Sequence, residues 1–153
     1  MSVTSLRRLL RDTRGAGVIE LALATPVLLL MLLGMIDTVQ GFAAQLHLKQ
    51  SAARTVDLAS AGGLSSAAFQ NLGEEAAAAS GRPVADVTVD KWLECDGARQ
   101  SSFDGNCAAE QQVARFVSVR IGGTYTPMLS GVMARFGLAG TIPIEGKASV
   151  RMQ

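Results

Sequence analysis

The sequence has few of the residues on which catalysis and metal binding usually depend. Its 153 residues include one histidine, one tryptophan, one tyrosine and two cysteines. A Ser-His-Asp arrangement would have to use His47, and no group of residues has the spacing of a metal site. Gly62-Gly63 and Gly122-Gly123 lack the lysine and the spacing of a phosphate-binding loop. The sequence therefore gives little support to an enzyme, and it predicts no metal site and no cofactor.

The charges and the length also exclude several classes of protein. Fourteen basic and 13 acidic residues leave a formal net charge of +1. A balance this close to neutral predicts no nucleic-acid partner. Glu74 and Glu75 are adjacent, so on a helix they would point in different directions and would not act as a catalytic pair. The chain length predicts one modest domain together with a membrane anchor.

One apolar run dominates the first quarter of the sequence. From Leu21 to Ile36 there is no ionisable side chain, and Val18 and Ile19 extend the run on its N-terminal side. A membrane-spanning helix needs roughly 17–25 such residues, and only a helix satisfies its own backbone hydrogen bonds in lipid. Residues 16–36 are therefore predicted to form a transmembrane helix.

Basic residues precede this run and predict its orientation. Arg7, Arg8, Arg11 and Arg14 are opposed only by Asp12, whereas the later basic residues are accompanied by acids. The positive-inside rule then places the N-terminus in the cytoplasm and most of the chain outside it. A cleaved secretory signal also begins with basic and apolar residues, but no small-residue cleavage site follows at the usual distance.

The start of the run carries a motif. Gly15-Ala16-Gly17-Val18-Ile19-Glu20, between a basic leader and an apolar helix, resembles a type IV prepilin processing site. The longer stretch RGAGVIELALATPVLLLMLLGMID resembles the start of TadE-like proteins, the minor pilins (pseudopilins) of tight-adherence (Flp, type IVc) pili. Gly15, Glu20, Pro26 and Asp37 match the pattern of that family. Leu21 stands where many relatives have an aromatic residue, which leaves the cleavage logic intact. TadF-like subunits share much of the pattern, so the choice between the two stays open.

The resemblance implies a function in pilus assembly at the bacterial inner membrane. A prepilin peptidase would cut between Gly15 and Ala16, which makes residues 1–15 a leader and Glu20 the fifth residue of the mature chain. Glu20 would then neutralise the new α-amine, in a neighbouring subunit; the simpler alternative leaves Glu20 solvated among the lipid headgroups. The implied partners are other pilin subunits and the tight-adherence secretion machinery, with consequences for adhesion and biofilm. The resemblance leaves open whether the mature chain enters the fibre.

Two other functions are compatible with an N-terminal anchor. The first is an unprocessed, membrane-anchored periplasmic module whose head binds a protein or a cell-wall ligand. Cleavage after Gly15 and dependence on Glu20 would separate it from a pilin-like subunit. The second is an enzyme head, which the missing catalytic constellation disfavours.

The helical pattern continues beyond the membrane segment. Apolar residues recur at steps of three and four as far as Val56, and Ala61-Gly62-Gly63 then ends the pattern. The sequence predicts one helix over about 16–60, in which residues 37–62 form an extracytoplasmic stem. The apolar stripe expected on this stem consists of Ile36, Val39, Phe42, Ala43, Leu46, Ala53 and Val56.

Residues 63–153 are predicted to form a periplasmic head. A second helix is expected over 65–80, followed by strands over 84–95, 114–126 and 140–152. The predicted fold is α+β: a long N-terminal transmembrane and stem helix packs against a small antiparallel sheet that carries a second helix. The apolar link at 127–138 is expected to cover an edge of the sheet or to touch the membrane or a neighbour.

The two cysteines are predicted to form a disulfide. Cys95 and Cys107 lie close together in the sequence, at the base of a polar segment over 96–106. The predicted orientation puts both outside the cytoplasm, where disulfides persist.

Overall fold

The chain forms one long helix and a small sheet. The computed structural model describes residues 16–62, 69, 71–137 and 140–152. The predicted leader, residues 1–15, and the predicted start of the second helix at residue 65 lie outside these ranges. In chain order the elements are helix α1 (Ala16–Gly62), helix α2 (Leu72–Ser80), a 3₁₀ turn (Val84–Asp86), strands β1 (Val87–Cys95), β2 (Ala98–Arg99) and β3 (Val113–Tyr125), helix α3 (Ser130–Arg135) and strand β4 (Ile142–Met152). This arrangement confirms the predicted α+β fold.

Helix α1 is continuous over 47 residues, close to the predicted bounds. Pro26 lies inside it and supplies no backbone N–H to the helix, yet the helix continues on both sides. Helix α2 ends at Gly81, whose left-handed conformation (φ 65°) lets its amide donate to the carbonyl oxygen of Ala77.

The sheet is antiparallel throughout, with the strand order β2-β1-β3-β4. The three predicted strands are present, but the first begins at Val87 and not at residue 84, because residues 84–86 form the 3₁₀ turn. Strand β2 is an addition, because residues 98–99 fall in a segment predicted to be a loop. Asp96 and Gly97 between β1 and β2 both have positive φ, at 50° and 80°. Asp-Gly is a typical sequence for the two-residue turn that joins such a hairpin.

Pro143 lies near the start of β4, which is an edge strand. A proline cannot donate a ladder hydrogen bond, so within a sheet it is tolerated mainly at edges and strand starts.

The core lies between the second half of α1 and one face of the sheet. Strand β3 runs through the middle of the sheet and contributes Val117, Val119 and Ile121, none of which is exposed. Helix α2 closes one side with Leu72 and Ala76. The remaining members of this core are Leu48, Ala52, Val56, Ala59 and Met152.

The face of α1 that packs on the sheet is not the predicted one. Val39 and Phe42 are each 67% exposed, and Leu46 is 42% exposed, whereas Ala52 is fully buried. The packed face is a row of mostly small residues that begins near Gly41 and continues through Ala44 to Ala59. Small side chains let a helix approach a sheet closely, so the bulky stripe is left on the outside. Of the predicted stripe, Val56 alone is a core residue.

The closest approach between helix and sheet is at Gly146 of β4. A Cβ atom added at Gly146 would overlap the carbonyl group of Leu48 and the backbone nitrogen of Lys49. These neighbours are backbone atoms, which cannot rotate away as a side chain could. Gly146 is therefore required by the packing of β4 directly on the backbone of α1.

Candidate functional site

The first third of α1 has no partner inside the chain. Every residue from Gly17 to Leu32 is exposed, including Ile19 at 64% and Leu29 at 54%. Soluble proteins rarely leave so long an apolar surface in water. By length and composition, α1 is the one helix in the described ranges that could cross a membrane. This exposed segment suggests a single-pass membrane anchor.

The predicted processing site lies at the start of this segment. Gly15 falls outside the described residues, and Ala16 is the first residue of α1. Glu20 follows Ala16 by four positions, so the two lie on the same side of the helix. Glu20 is exposed, and neither of the ion pairs found in the described ranges, Arg99–Asp90 and Arg120–Glu145, involves it. Its carboxylate therefore has no ion-pair partner among the described residues.

Two hydroxyl groups, one in the middle of the apolar run and one just after it, are satisfied by the helix itself. The Thr25 hydroxyl donates to the carbonyl oxygen of Leu21 at 2.6 Å, and the Thr38 hydroxyl donates to that of Gly34 at 2.8 Å. Neither side chain therefore presents an unsatisfied donor to lipid.

Asp37 joins the stem to the head. It is the first residue after the apolar run, and its Oδ1 accepts hydrogen bonds from the Met128 amide at 2.7 Å and the Tyr125 hydroxyl at 3.2 Å. Its Oδ2 accepts from the Leu129 amide at 3.2 Å. One carboxylate thus binds two consecutive backbone amides and a side chain from the far end of β3. Three donors of this kind fix the segment after β3 against α1.

Tyr125 packs on the helix beside this carboxylate. A Cβ atom added at Gly41 would lie 3.3 Å from two carbon atoms of the Tyr125 ring. Gly41 is one helical turn beyond Asp37, so the ring packs against the helix at Gly41 while its hydroxyl reaches the acid. A side chain at Gly41 would push the ring away from Asp37.

A groove of about 430 Å³ lies beside the Asp37 contacts, between α1, the segment after β3 and the start of β4. Its walls run from Gly34 within the apolar run to Gln45 on the stem. Pro127, Leu129 and Met133 line the opposite side, so most of the lining is apolar.

The hydrogen bonds at Asp37 change the acidity of both side chains. The Met128 amide, with smaller contributions from the Leu129 amide and the Tyr125 hydroxyl, holds the pKa of Asp37 below its usual value, although partial burial opposes this. Burial, together with the hydrogen bond to Asp37 and its charge, raises the pKa of Tyr125. The contact therefore favours an ionised Asp37 and a protonated Tyr125.

Changing Asp37 to asparagine is expected to loosen the segment after β3. An amide group has a single acceptor oxygen and no charge, so it cannot bind both backbone amides as a carboxylate does. Hydrogen–deuterium exchange of the Met128 and Leu129 amides should be faster in Asp37→Asn than in the parent chain. Asp57→Asn is the matched control, because Asp57 is an exposed acid on the same helix and its side chain makes no hydrogen bond to another residue in the described ranges.

The same contact should depend on pH. A carboxyl whose pKa is lowered by folding stabilises the folded state above its unfolded pKa of about 3.9 and loses that effect as the pH falls through its folded value. Protection of the two amides should therefore be complete at neutral pH and fade below about pH 4 in the parent chain. In Asp37→Asn, the protection of these two amides should lack this dependence on pH. Equal pH profiles in the two chains would contradict the assignment.

The disulfide joins Cys95 to Cys107, which closes the loop after β1. Phe103 from this loop packs edge to face on Phe69, with the ring centroids 5.6 Å apart. The Arg115 side chain donates to the carbonyl oxygens of Phe103 and Gly105, so β3 holds the same loop. This bridge lies at the end of β1 that pairs with the start of β3, far along β3 from Tyr125.

Replacing both cysteines by serine should destabilise the head. The loop is short, and the loop-closure model gives about 3 kcal/mol for a bridge of this span. Urea unfolding of the parent chain with and without reductant measures this difference. Because the sequence has no other cysteine, the double serine variant should show no response to reductant. An equal midpoint for all of these samples would exclude a stabilising bridge.

The other residues considered at the sequence level are not brought together. His47 is exposed on α1, and Glu74 and Glu75 are exposed in the first turn of α2. Within the described ranges, no three side chains of the types that bind metals are placed to share an ion.

Sequence reasoning missed the part of the site that lies beyond the anchor. The family pattern includes Asp37, but the sequence predicts no role for Tyr125, Gly41 or Gly146. One usable signal was present: an acid directly after an apolar run is costly unless donors reach it, so partners for Asp37 could have been sought.

The match to known proteins covers the same helix. The family model described as TadE-like protein matches residues 15–57. This match confirms the resemblance drawn from Gly15, Glu20, Pro26 and Asp37, all of which lie within it. No curated protein and no solved structure shows a significant match to the chain.

Proposed function

Because residues 15–57 are TadE-like, we propose that this chain is a minor pilin or pseudopilin of the tight-adherence pilus. The TadE-like family is a pilus-associated structural family, which suggests association with the pilus machinery and with pilin subunits. In this proposal a prepilin peptidase removes residues 1–15. The mature chain then takes part in assembly of the pilus and catalyses no reaction itself.

One observation carries the proposal. The apolar part of α1 is exposed from Gly17 to Leu32, and its only acid, Glu20, stands four residues after Ala16. A helix that serves merely as an anchor gains nothing from an acid at this depth, since moving a charge towards the bilayer centre costs about 2.5–3.5 kcal/mol on insertion scales. A subunit that pairs with the cationic N-terminus of a neighbour, by contrast, requires an acid at this position.

The two charges would act together only in an assembled state. Cleavage after Gly15 leaves a positively charged amine on Ala16, and Glu20 of an adjacent subunit neutralises it. In a low-dielectric environment an unpaired charge is strongly disfavoured, so the pairing sets the register of one helix against the next.

The chain is accordingly divided into four functional parts. Residues 1–15 are the leader, 16–36 cross the inner membrane, 37–62 continue as the stem, and 63–153 form the periplasmic head. The four arginines in the leader support a cytoplasmic N-terminus through the positive-inside rule. The disulfide supports the same orientation, because such bonds persist outside the cytoplasm.

The alternative function is an unprocessed anchor that carries a protein-binding head. The groove beside Asp37 is compatible with a ligand-binding head. Glu20, however, has no role in this alternative.

The test is the mass of the N-terminal peptide from the full chain, expressed with and without a prepilin peptidase. The proposal expects a chain that starts at Ala16 only when the peptidase is present. Gly15→Leu should leave the precursor intact, whereas Gly17→Ala, two residues further on, should still be cut. A chain that begins at the same residue with and without the peptidase would favour the unprocessed anchor.

A further inference from the structure

The segment after β3 is held at the level where the apolar run ends. We call residues 126–137 the membrane-proximal loop; it contains α3. Its Met128 and Leu129 amides donate to Asp37, which directly follows the last apolar residue, Ile36. The groove beside it includes Gly34, so part of the loop reaches alongside the apolar run itself. The contact with Asp37 thus determines the position of the loop along the axis of α1, which we call its height.

The loop turns several apolar side chains outward. Phe136 is 77% exposed, Met128 is 65% exposed and Val132 is 49% exposed. Buried Pro127 and partly buried Leu129 and Met133 face inward, so the outward residues are not required for packing the head. Arg135 in the last turn of α3 is also exposed.

We propose that the membrane-proximal loop is a second membrane contact, in which Phe136, Met128 and Val132 insert among the lipid headgroups on the side of the head. Amphipathic segments of this kind bury their apolar side chains about 5–10 Å into the boundary between headgroups and acyl chains. Arg135 binds the lipid phosphates beside them. The inference rests on the proposed membrane anchor, but it concerns a different part of the chain.

The height of the loop favours lipid over a soluble partner. The polar layer of a bilayer extends about 5–8 Å beyond the hydrocarbon on each side. Val39 and Phe42 on the exposed face of the stem lie about 5 and 9 Å beyond Ile36 along the helix axis. Both are 67% exposed. The stem therefore presents apolar side chains close to the level at which Met128 and Leu129 bind Asp37, continuous with the exposed surface of the apolar run.

Such a contact would fix the direction in which the head faces. A single helix can turn about its own axis in a bilayer, and an added contact to one side of that axis restricts this rotation. The groove and β4 would then face one defined direction around the axis of α1.

The test uses a single tryptophan as a probe of depth. In the full chain with Trp92→Phe, Phe136→Trp is introduced and the protein is reconstituted into phosphatidylcholine and phosphatidylglycerol vesicles. Some vesicles carry lipids brominated near the headgroup, and others carry lipids brominated near the end of the acyl chain. The proposal expects strong quenching of the indole by the first kind, weaker quenching by the second, and a blue shift of its emission relative to the protein in detergent without lipid.

Two reference proteins separate this inference from the anchor. Leu29→Trp in the same background reports the anchor and should be quenched most by bromine near the chain end. In the parent chain the tryptophan is Trp92, which pairs with Phe116, nine residues before Tyr125 on β3. The fluorescence of Trp92 should not be quenched by either lipid. Quenching at Leu29→Trp without quenching at Phe136→Trp would overturn the second contact and favour a protein partner for the loop. Absence of quenching at both positions would overturn the anchor as well.

Discussion

Replacing Gly146 by alanine is expected to lower the free energy of unfolding by about 3 kcal/mol, the upper end of the usual cost of overpacking. The added methyl group would overlap the backbone of Leu48 and Lys49, so β4 or α1 must move. Movement here separates the sheet from the helix that supplies Leu48, Ala52 and Val56 to the core. Gly146→Val should be worse, because a branched side chain needs still more space at the same point.

Gly73→Ala is the matched control for Gly146→Ala. A Cβ atom at Gly73 meets nothing within 4 Å, and the residue lies in α2, where alanine is favoured over glycine by up to about 1 kcal/mol. Urea unfolding of the full chain in detergent can be followed by Trp92 fluorescence, since Trp92 stacks on Phe116 in the sheet. If Gly146→Ala unfolds at the same urea concentration as Gly73→Ala, the close packing of β4 on the stem is wrong.

Changing Glu20 to valine is expected to abolish or strongly reduce assembly while leaving membrane insertion intact. Removal of one partner from a buried ion pair leaves the other charge uncompensated, which costs about 3–5 kcal/mol at each subunit contact. Insertion itself should not suffer, because valine is more favourable than a carboxylate inside a membrane.

Two measurements on the Glu20 variant separate these effects. The amount of processed protein in the membrane fraction reports insertion and cleavage, and the amount of pilus material sheared from the cell surface reports assembly. Glu20→Asp keeps the charge and should retain part of the assembly. Thr25→Val removes a polar group that bonds within its own helix, so it should assemble as the parent does. Normal piliation by Glu20→Val would contradict the proposed pairing of Glu20 with the α-amine of a neighbour.

The elements that could be predicted are those with long, regular patterns. Helix α1 was predictable because its apolar residues follow one another without a charge and then recur at helical steps as far as Val56. The strands β1, β3 and β4 were predictable from alternation. Strand β2 was missed although Asp96-Gly97 is a typical hairpin turn, because the following residues are polar and form a strand of only two residues.

The packed face of α1 could not be predicted from the size of its side chains. Val39, Phe42 and Leu46 form the more apolar stripe, yet the sheet packs on the opposite, small-residue face. Which stripe is buried depends on the partner surface, and Gly146 on β4 matches a helix surface that allows backbone contact. Gly146 lies 98 positions after Leu48 in the sequence, and it thus determines which face of α1 is buried.

The contacts of Asp37 were unpredictable for a similar reason. Its partners are separated from it by 88 to 92 residues in the sequence, and two of them are backbone amides. Backbone donors carry no signal in the amino-acid sequence. The pattern could indicate that Asp37 needs donors, but it could not indicate where they lie.

The apolar run and the stem form one unbroken helix, so the position of the head depends on the tilt of the apolar run. Residues 37–62 extend about 39 Å along the helix axis. Transmembrane helices tilt by about 20° on average and tilt further where the hydrocarbon layer is thin. With a straight stem, a tilt of about 20° displaces its far end sideways by about 13 Å. With the proposed single-pass anchor, a change of membrane thickness would displace Cys95, Cys107 and the rest of the distal head sideways.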